Sequence, residues 1–174
     1  ERVRILRSHG MTTTAYERED GSGLYDVKEF GYNYRMDDIR ASIGLAQLEK
    51  LPGDIKKRNR LVDRYRENLS GVESVHVPFS KYQGRSSHYV FGVLTDHPNR
   101  AELRKKMEEK GVGTSVHYPP AHQFECYEPF RTSLSTTERV ARQEISLPLF
   151  HDMTLDQVDY VCKALTECLD AVRI

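Results

Sequence analysis

The sequence of 174 residues lacks a run of about 18 apolar residues, the length that a membrane-crossing helix needs. It also lacks a basic segment followed by an apolar stretch at its start, so no signal peptide is predicted. Neither sign of charge is in excess, since 26 lysines and arginines balance 26 aspartates and glutamates. Binding to nucleic-acid phosphates requires a basic surface, so we expect neither a nucleic-acid partner nor a membrane partner.

Cysteine is scarce as well, and the three cysteines, Cys126, Cys162 and Cys168, show no paired metal-binding or redox spacing. Reduced thiols in a cytoplasmic protein are the simplest interpretation. The sequence contains no glycine-rich phosphate loop and no G-x-S-x-G nucleophile motif. It also begins at Glu1 rather than at a methionine, within a short predicted helix that Gly10 would end. We expect further polypeptide before Glu1, although a cleaved pro-segment would give the same pattern.

Residues 11–22 are polar and aperiodic, which predicts a loop, and residues 25–30 are predicted to be extended. A long helix is predicted to begin at Asp37 or Asp38, whose carboxylates suit its positive end. Its broad apolar face consists of Met36, Ile39, Ile43, Leu45, Ala46, Leu48 and Leu51. Such a face predicts burial against more than one neighbour, and we expect self-association through it. Pro52-Gly53 is predicted to interrupt this helix before a second helix over residues 55–69.

After Gly71 the pattern changes to short strands separated by helices. The predicted strands lie around residues 72–77, 88–95, 112–118 and 145–147. One helix is predicted from Asn99 to Lys110, and two others follow the capping-box pairs Ser135/Glu138 and Thr154/Gln157. The pattern therefore predicts a long helix and a small α+β unit.

A glycine, an asparagine and an arginine stand just before the long helix, in the segment 31–36 (Gly-Tyr-Asn-Tyr-Arg-Met). Gly31 permits an unusual backbone angle, Asn33 offers an amide donor and Arg35 offers a planar cation. Beside a helix start, this combination suits an anion such as phosphate. The residue types alone favour a simpler interpretation, a polar loop in which Asn33 caps its own backbone.

A second polar group surrounds two prolines in the segment 117–122 (His-Tyr-Pro-Pro-Ala-His), with Cys126 nearby. Zinc binding lacks a suitable ligand spacing and a fourth ligand. A cysteine–histidine nucleophile pair needs a geometry that proximity in sequence does not create. A substrate pocket lined by hydrogen-bond donors is a third interpretation, and a rigid loop with a partly buried histidine is a fourth. The residues alone leave all four open.

Six segments, taken in order, resemble the DegT/DnrJ/EryC1/StrS family of aminotransferases and related enzymes, which act on nucleotide-linked sugars. They are residues 6–10 (Leu-Arg-Ser-His-Gly), 31–36, 39–48 (Ile-Arg-Ala-Ser-Ile-Gly-Leu-Ala-Gln-Leu), 111–120 (Gly-Val-Gly-Thr-Ser-Val-His-Tyr-Pro-Pro), 146–149 (Ser-Leu-Pro-Leu) and 153–161. Each segment alone is a weak match, whereas the ordered set is specific.

The resemblance implies the fold-type-I architecture of enzymes that use pyridoxal 5'-phosphate (PLP). Residues 1–36 would be the end of the large PLP-binding domain, and residues 37–70 the connecting helices. Residues 71–174 would be a small C-terminal α+β domain with a short, mainly antiparallel sheet. The Schiff-base lysine is expected upstream of this chain, because none of the lysines here lies in a matching context. The chain would therefore hold no catalytic residue of its own.

The resemblance also implies roles for the two polar groups. Asn33 would contact the PLP phosphate of the neighbouring subunit, with Arg35 close to it. His117 and Tyr118 would reach the nucleotide-linked sugar across the dimer interface, and His122 would lie near the substrate. No metal is implied.

The implied activity is transfer of an amino group, commonly from glutamate, to a nucleotide-linked keto-sugar by a homodimer with shared active sites. We expect this chain alone to be inactive and not to retain PLP. Two alternatives remain, namely the sugar 3-dehydratase branch of the family, in which histidine replaces the lysine, and a non-catalytic interaction or regulatory module.

Overall fold

The computed structural model describes residues 1–12, 25–82, 84 and 86–171. The chain divides into two compact units, Glu1–Lys50 and Leu51–Ile174, and the long helix runs through the boundary. Among the described residues, no helix has the length and apolar content needed to cross a membrane.

The first unit contains helix α1 (Arg2–Leu6) and the first part of helix α2 (Asp38–Leu69). Among the described residues, the segment predicted to be extended at residues 25–30 forms an antiparallel bridge between Met11 and Val27. Most of the loop predicted at residues 11–22 lies outside the described residues. The fully buried positions described in this unit are Ser8 and Gly10, so its described residues form no apolar core.

Helix α2 spans 32 residues and begins where the sequence predicts. The Asp37 carboxylate accepts the backbone N–H of Arg40 at 2.9 Å, which confirms the predicted acidic cap. The predicted interruption at Pro52-Gly53 is wrong, since the helix continues through Pro52. A proline removes one backbone donor from the ladder, and the remaining turns keep theirs. The second predicted helix is therefore the C-terminal half of α2.

The apolar face predicted for the start of α2 is present but not buried in this chain. Ile39 is 74% exposed, Ile43 57% and Leu48 62%. The described residues of this chain therefore do not provide the burial against several neighbours that was expected for this face.

The second unit is built on a three-stranded antiparallel sheet in the order β1-β2-β3, formed by Val75–His76, Phe91–Thr95 and Glu144–Leu147. Its helices are the end of α2, α3 (Arg100–Glu109), α4 (Ser135–Gln143) and α5 (Leu155–Asp170), with 3₁₀ turns at Ala121–Gln123 and Glu125–Phe130. This arrangement agrees with the predicted α+β class.

Alternate side chains of β2 and β3 enter the core of this unit. Phe91 pairs with Leu147 and Val93 with Ile145, and all four are buried. They belong to one cluster with apolar side chains of α2, α3 and α5. Tyr65 of α2 stacks on Phe91 with ring centroids 4.6 Å apart and donates its hydroxyl to the Pro148 carbonyl at 2.8 Å. Burial raises the pKa of Tyr65 well above its ordinary value, so the hydroxyl keeps its hydrogen as a donor.

Three predicted strands differ from the structure. The strand predicted over residues 72–77 is reduced to Val75–His76. The strand predicted over residues 88–95 begins at Phe91. His88 has a φ of +46°, which is not an extended conformation, and its carbonyl accepts from Arg58 Nη1 at 3.1 Å. The strand predicted over residues 112–118 is wrong. Its described residues pair with the sheet only through the bridge between Ser115 and Ser146.

The two capping-box patterns have different outcomes. At α5, Thr154 Oγ1 accepts the Gln157 N–H at 3.2 Å and Gln157 Oε1 accepts the Thr154 N–H at 2.9 Å, so the box is confirmed. At α4, the prediction is wrong for Ser135, because Ser135 already lies inside the helix. Glu138 keeps its half of the pattern and accepts the Leu134 N–H at 2.9 Å. At α3, Asn99 accepts the Glu102 N–H at 3.2 Å, as predicted.

Helices α2 and α5 are joined by a charged pair in the second unit. Arg64 donates to both carboxylate oxygens of Asp159, at 2.7 and 2.8 Å, and Asn68 Nδ2 donates to Oδ1 at 2.6 Å. These hydrogen bonds, that from Arg64 first, lower the pKa of Asp159 to about 2. They favour the ionised carboxylate, so the pair stabilises the fold only while Asp159 is charged.

We predict that Thr154→Ala lowers the free energy of unfolding by about 1 kcal/mol, because it leaves the first turn of α5 without its cap. Ser135→Ala is the matched control, since Ser135 has the same spacing but caps nothing, and its effect should stay within about 0.5 kcal/mol. Urea denaturation measures both. Equal losses in the two variants would contradict the assignment.

We also predict that Asp159→Asn removes a pH-dependent part of the stability. The folded pKa is lower than the ordinary value of 3.8, so this contribution is present above about pH 4 and is lost as the pH falls toward 2. Wild-type stability should therefore drop across this window more steeply than that of the variant. Asp170→Asn, at an exposed carboxylate on the same helix, is the control for the loss of one negative charge. Identical slopes for wild type and Asp159→Asn would refute the prediction.

Candidate functional site

Asn33 lies in a segment that backbone hydrogen bonds hold against the end of α1. The Tyr32 N–H donates to the Leu6 carbonyl at 2.6 Å, and the Tyr34 N–H donates to the Arg7 carbonyl at 2.9 Å. Asn33 itself forms an antiparallel bridge with Ser8. The backbone of Asn33 is therefore fixed by bonds on both sides of it.

Two glycines allow this close approach. A Cβ on Gly31 would lie 2.1 Å from the Gly10 nitrogen, and a Cβ on Gly10 would lie 1.8 Å from the Glu29 carbonyl oxygen. Gly10 also has a φ of +75°, which L side chains rarely adopt. The sequence suggested that Gly31 permits an unusual backbone angle. The structure gives a different reason for a glycine at this position, because there is no space for a side chain.

The side chains of Asn33 and Arg35 are exposed. Within the described part of the chain, neither has a hydrogen bond or ion pair, so Asn33 does not cap its own backbone there. Tyr32 and Tyr34, on either side of Asn33, stack with ring centroids 5.1 Å apart. The amide and the guanidinium are thus donors that have no acceptor among the described residues, and such donors suit an anion.

His117 belongs to a hydrogen-bonded group in the second unit. Its Nδ1 lies 2.8 Å from Ser146 Oγ, and its backbone N–H donates to Glu144 Oε2 at 3.0 Å. The Ser146 hydroxyl donates to Glu144 Oε1 at 2.5 Å. Glu144 and Ser146 are only 8% and 3% exposed, so His117 is attached to a rigid, buried part of the sheet.

Tyr118 follows His117 through a cis peptide bond and is 67% exposed. The two rings meet edge to face, with centroids 4.8 Å apart and planes at 89°. The structure therefore brings His117 and Tyr118 into contact and leaves the phenol ring open to a ligand.

His122 has a different partner. Its Nε2 lies 3.3 Å from Glu138 Oε1 at the start of α4, and its side chain is 11% exposed. The Leu134 N–H, followed by His122, lowers the pKa of Glu138, so this carboxylate is ionised near neutral pH. No bond joins His122 to His117 in the described ranges. His122 thus ties the proline segment to α4.

The zinc interpretation can be compared with the side chains found nearby. Cys126 is exposed, and across the described residues no group of three or more His, Cys, Asp or Glu side chains has the arrangement that a metal ion needs.

A cavity of about 760 Å³ opens in the second unit beside strand β2. Gly92, Glu144 and His117 line it together with Arg66 and His88. Burial, and then the nearby Arg66 cation, lowers the pKa of His88, so His88 is neutral at neutral pH.

Sequence reasoning missed Glu144 and Ser146. The available signal was the alternation of polar and apolar residues along β3, where Ile145 and Leu147 enter the core and their neighbours face the other way. Asn33 and Arg35 belong to the first unit, and His117, Tyr118 and His122 belong to the second.

Comparison with known proteins gives matches along almost the whole chain. A model of the DegT/DnrJ/EryC1/StrS aminotransferase family matches residues 1–166. The spore coat polysaccharide biosynthesis protein SpsC of Bacillus subtilis is 29% identical over 178 residues, which cover 96% of this chain and 46% of SpsC.

Two solved structures are similar in fold and sequence. The aminotransferase TlmJ from Streptoalloteichus hindustanus has a TM-score of 0.81 and 30% identity, over 98% of this chain and 45% of TlmJ. Spr1654 from Streptococcus pneumoniae, in its PMP-form, has a TM-score of 0.80 and 26% identity, over 97% of this chain and 44% of Spr1654. The predicted fold class is thereby confirmed. The chain spans about half the length of the relatives that it matches.

We predict that Gly31→Ala loosens the segment that carries Asn33, because the new Cβ would overlap the Gly10 backbone. Hydrogen exchange at the Tyr32 and Tyr34 amides should become about tenfold faster or more. Gly44→Ala is the control, since nothing lies within 4 Å of its Cβ position, and it should leave exchange in this segment unchanged. Unaltered protection in Gly31→Ala would contradict the role given to the glycine contact.

Proposed function

Because the chain belongs to the DegT/DnrJ/EryC1/StrS aminotransferase family, we propose that it forms the C-terminal part of a PLP-dependent aminotransferase. The observation that carries this proposal is the family match over residues 1–166, which confirms the resemblance predicted from six sequence segments. The reaction is transfer of an amino group, from glutamate as donor, to a nucleotide-linked keto-sugar. Polysaccharide or amino-sugar biosynthesis in the cytoplasm is the corresponding role, and the name of SpsC supports it.

Asn33 and Arg35 are proposed to hold the PLP phosphate. Both side chains are exposed and have no protein partner within the described residues, so an amide and a guanidinium remain available for phosphate oxygens. The PMP-form of Spr1654 supports a cofactor of this class. When bound, PLP supplies an electron sink for moving an amino group, and the protein supplies binding and orientation.

His117, Tyr118 and His122 are proposed to bind the nucleotide-linked sugar. His117 is anchored to buried residues of β3 and so offers its ring at a fixed position. The exposed Tyr118 offers an apolar face and a hydroxyl, which together suit a sugar ring with its hydroxyl groups. His122 fixes the proline segment through Glu138 and lies near the substrate in this proposal.

The remainder of the site is proposed to come from polypeptide upstream of Glu1 and from a second subunit. The chain covers 45% of TlmJ, and the Schiff-base lysine is expected in the part that is not matched. Residues 1–36 would complete the large domain, residues 37–70 would connect the domains, and residues 71–174 would form the small domain. The exposed apolar residues of α2, among them Ile39 and Ile43, support a covering by the rest of a homodimer.

We predict that Asn33→Ala in the full-length protein weakens PLP retention by about tenfold or more, because a donor to a charged phosphate is lost. The measurement is the cofactor content after dialysis against decreasing PLP concentrations. Asn59→Ala, which alters an asparagine of α2 outside the proposed site, is the control and should retain PLP like the wild type. A wild-type affinity in Asn33→Ala would refute the phosphate role.

The full-length protein should also convert bound PLP to its amine form when glutamate is added, which absorbance spectroscopy follows. A protein that binds PLP but shows no exchange with glutamate or any other amino donor would count against the transferase. It would favour the dehydratase branch or a non-catalytic module.

A further inference from the structure

The non-core face of the sheet carries a buried polar pair next to His117. Glu144 and Ser146 alternate with the core residues of β3 and are almost fully buried. Gly92, which pairs with Ser146 on β2, gives room for this arrangement, because its Cβ position lies 3.1 Å from Glu144 Oε1. A polar pair buried this deeply requires hydrogen-bond partners, and the donors and acceptors can be counted.

Each donor hydrogen in this group has a single acceptor. The Ser146 hydroxyl has a single hydrogen and donates it to Glu144 Oε1 at 2.5 Å. The His117 backbone N–H donates to the other carboxylate oxygen at 3.0 Å. Ser146 Oγ therefore faces the His117 ring with lone pairs only, and Nδ1 at 2.8 Å has to be the donor in that contact.

The neighbouring hydroxyl does not offer an alternative. Ser115 Oγ lies 3.5 Å from His117 Nδ1, beyond the usual range of a hydrogen bond. In the neutral ring, a proton on Nδ1 leaves Nε2 as an acceptor. Nε2 has no partner in the described part of the chain. The buried polar atoms without a partner in the described part of the chain are Arg66 Nε and His97 Nε2. His117 Nε2 is not one of them, so it is open to solvent.

We propose that Glu144 and Ser146 are positioning residues that hold neutral His117 in its Nδ1–H form and thereby make Nε2 a hydrogen-bond acceptor. The ligand group that fits is a donor, such as a sugar hydroxyl. This inference rests on the proposed role of His117 in binding the sugar. A substrate that offers only an acceptor or an apolar group at this position leaves Nε2 unpaired and is discriminated against.

The buried pair also explains why the form of the ring is fixed rather than averaged. An exposed imidazole exchanges freely between its two neutral forms, whereas a bond to one ring nitrogen selects one of them. Here the selecting oxygen belongs to a strand side chain that is 3% exposed, so it cannot turn away to solvent.

The direct test is the protonation of the His117 ring nitrogens, read from ¹⁵N chemical shifts of the ¹⁵N-histidine-labelled 174-residue chain. His117, Glu144 and Ser146 all lie in the unit that has its own apolar core. Spectra are recorded at about pH 8.5, where an ordinary imidazole is neutral, and His117→Gln assigns the signals. We expect a protonated Nδ1 and an unprotonated Nε2. A ring protonated mainly at Nε2 would overturn the proposal.

Variants separate positioning from general packing. Ser146→Ala removes the acceptor, and the Nε2–H population should rise from a minority to a majority. Ser146→Thr keeps the hydroxyl and should restore the wild-type spectrum. Ser115→Ala is the matched control and should change nothing. If Ser146→Ala does not fold, Glu144→Ala tests the same point, because it frees the Ser146 hydrogen to donate to Nδ1. An unchanged ring in both variants would overturn the proposal.

Kinetics of the full-length protein with UDP- and dTDP-linked keto-hexoses test the link to function. Ser146→Ala should raise KM for the sugar by about three- to tenfold, as expected for one lost hydrogen bond, with little change in kcat. Ser146→Thr should recover most of this loss. If the ring form is as expected but His117→Ala leaves KM unchanged, the proposed sugar contact fails and the acceptor role fails with it. If His117→Ala raises KM but the ring is protonated at Nε2, the contact stands and the positioning inference is overturned.

Discussion

Strand β3 is the element on which both the core and the candidate sugar-binding residues of the second unit depend. Its side chains alternate, so that Ile145 and Leu147 pack in the core while Glu144 and Ser146 bind His117 on the other face. Because the period of a strand is two, a slip of one residue would put the carboxylate into the core and the isoleucine beside His117. The apolar pairs with β2 oppose that slip. The same pairs therefore fix the position of His117 through the register of β3.

The first unit is held together in another way. Its described residues have no apolar core, and its turn depends on backbone hydrogen bonds and on the absence of side chains at Gly10 and Gly31. Burying an aliphatic side chain contributes about 1.5–3 kcal/mol, and the exposed Ile39, Ile43 and Leu48 of α2 do not gain this within the chain.

Local signals predicted local structure well. The caps at Asp37, Asn99 and Thr154 depend on a side chain and a backbone N–H three residues away or fewer, so the sequence pattern was sufficient. Ser135 shows the limit of the capping-box pattern as a predictor, since the same spacing occurs there one residue inside the helix. The strand predicted over residues 112–118 failed because strand pairing is decided by distant residues. Asn33 and His117 were predicted as site residues from motifs, and that prediction stays open. Glu144 and Ser146 were not predicted beside His117, because their contacts to it span 27 and 29 residues of sequence.

The two groups of candidate residues are prepared for binding to different degrees. The backbone of Asn33 is held by hydrogen bonds, but the side chains of Asn33 and Arg35 are exposed and without partners in the described ranges. In the proposed site, a phosphate would have to order these side chains, which would cost part of its binding free energy. The His117 ring is already held at Nδ1, so it would lose little conformational entropy when a ligand binds. A doubly charged phosphate forms charge-assisted hydrogen bonds strong enough to offset that cost, whereas a neutral sugar hydroxyl forms weaker ones. Rigid support is therefore more valuable at His117 than at Asn33, and it is at His117 that the structure provides buried side-chain partners.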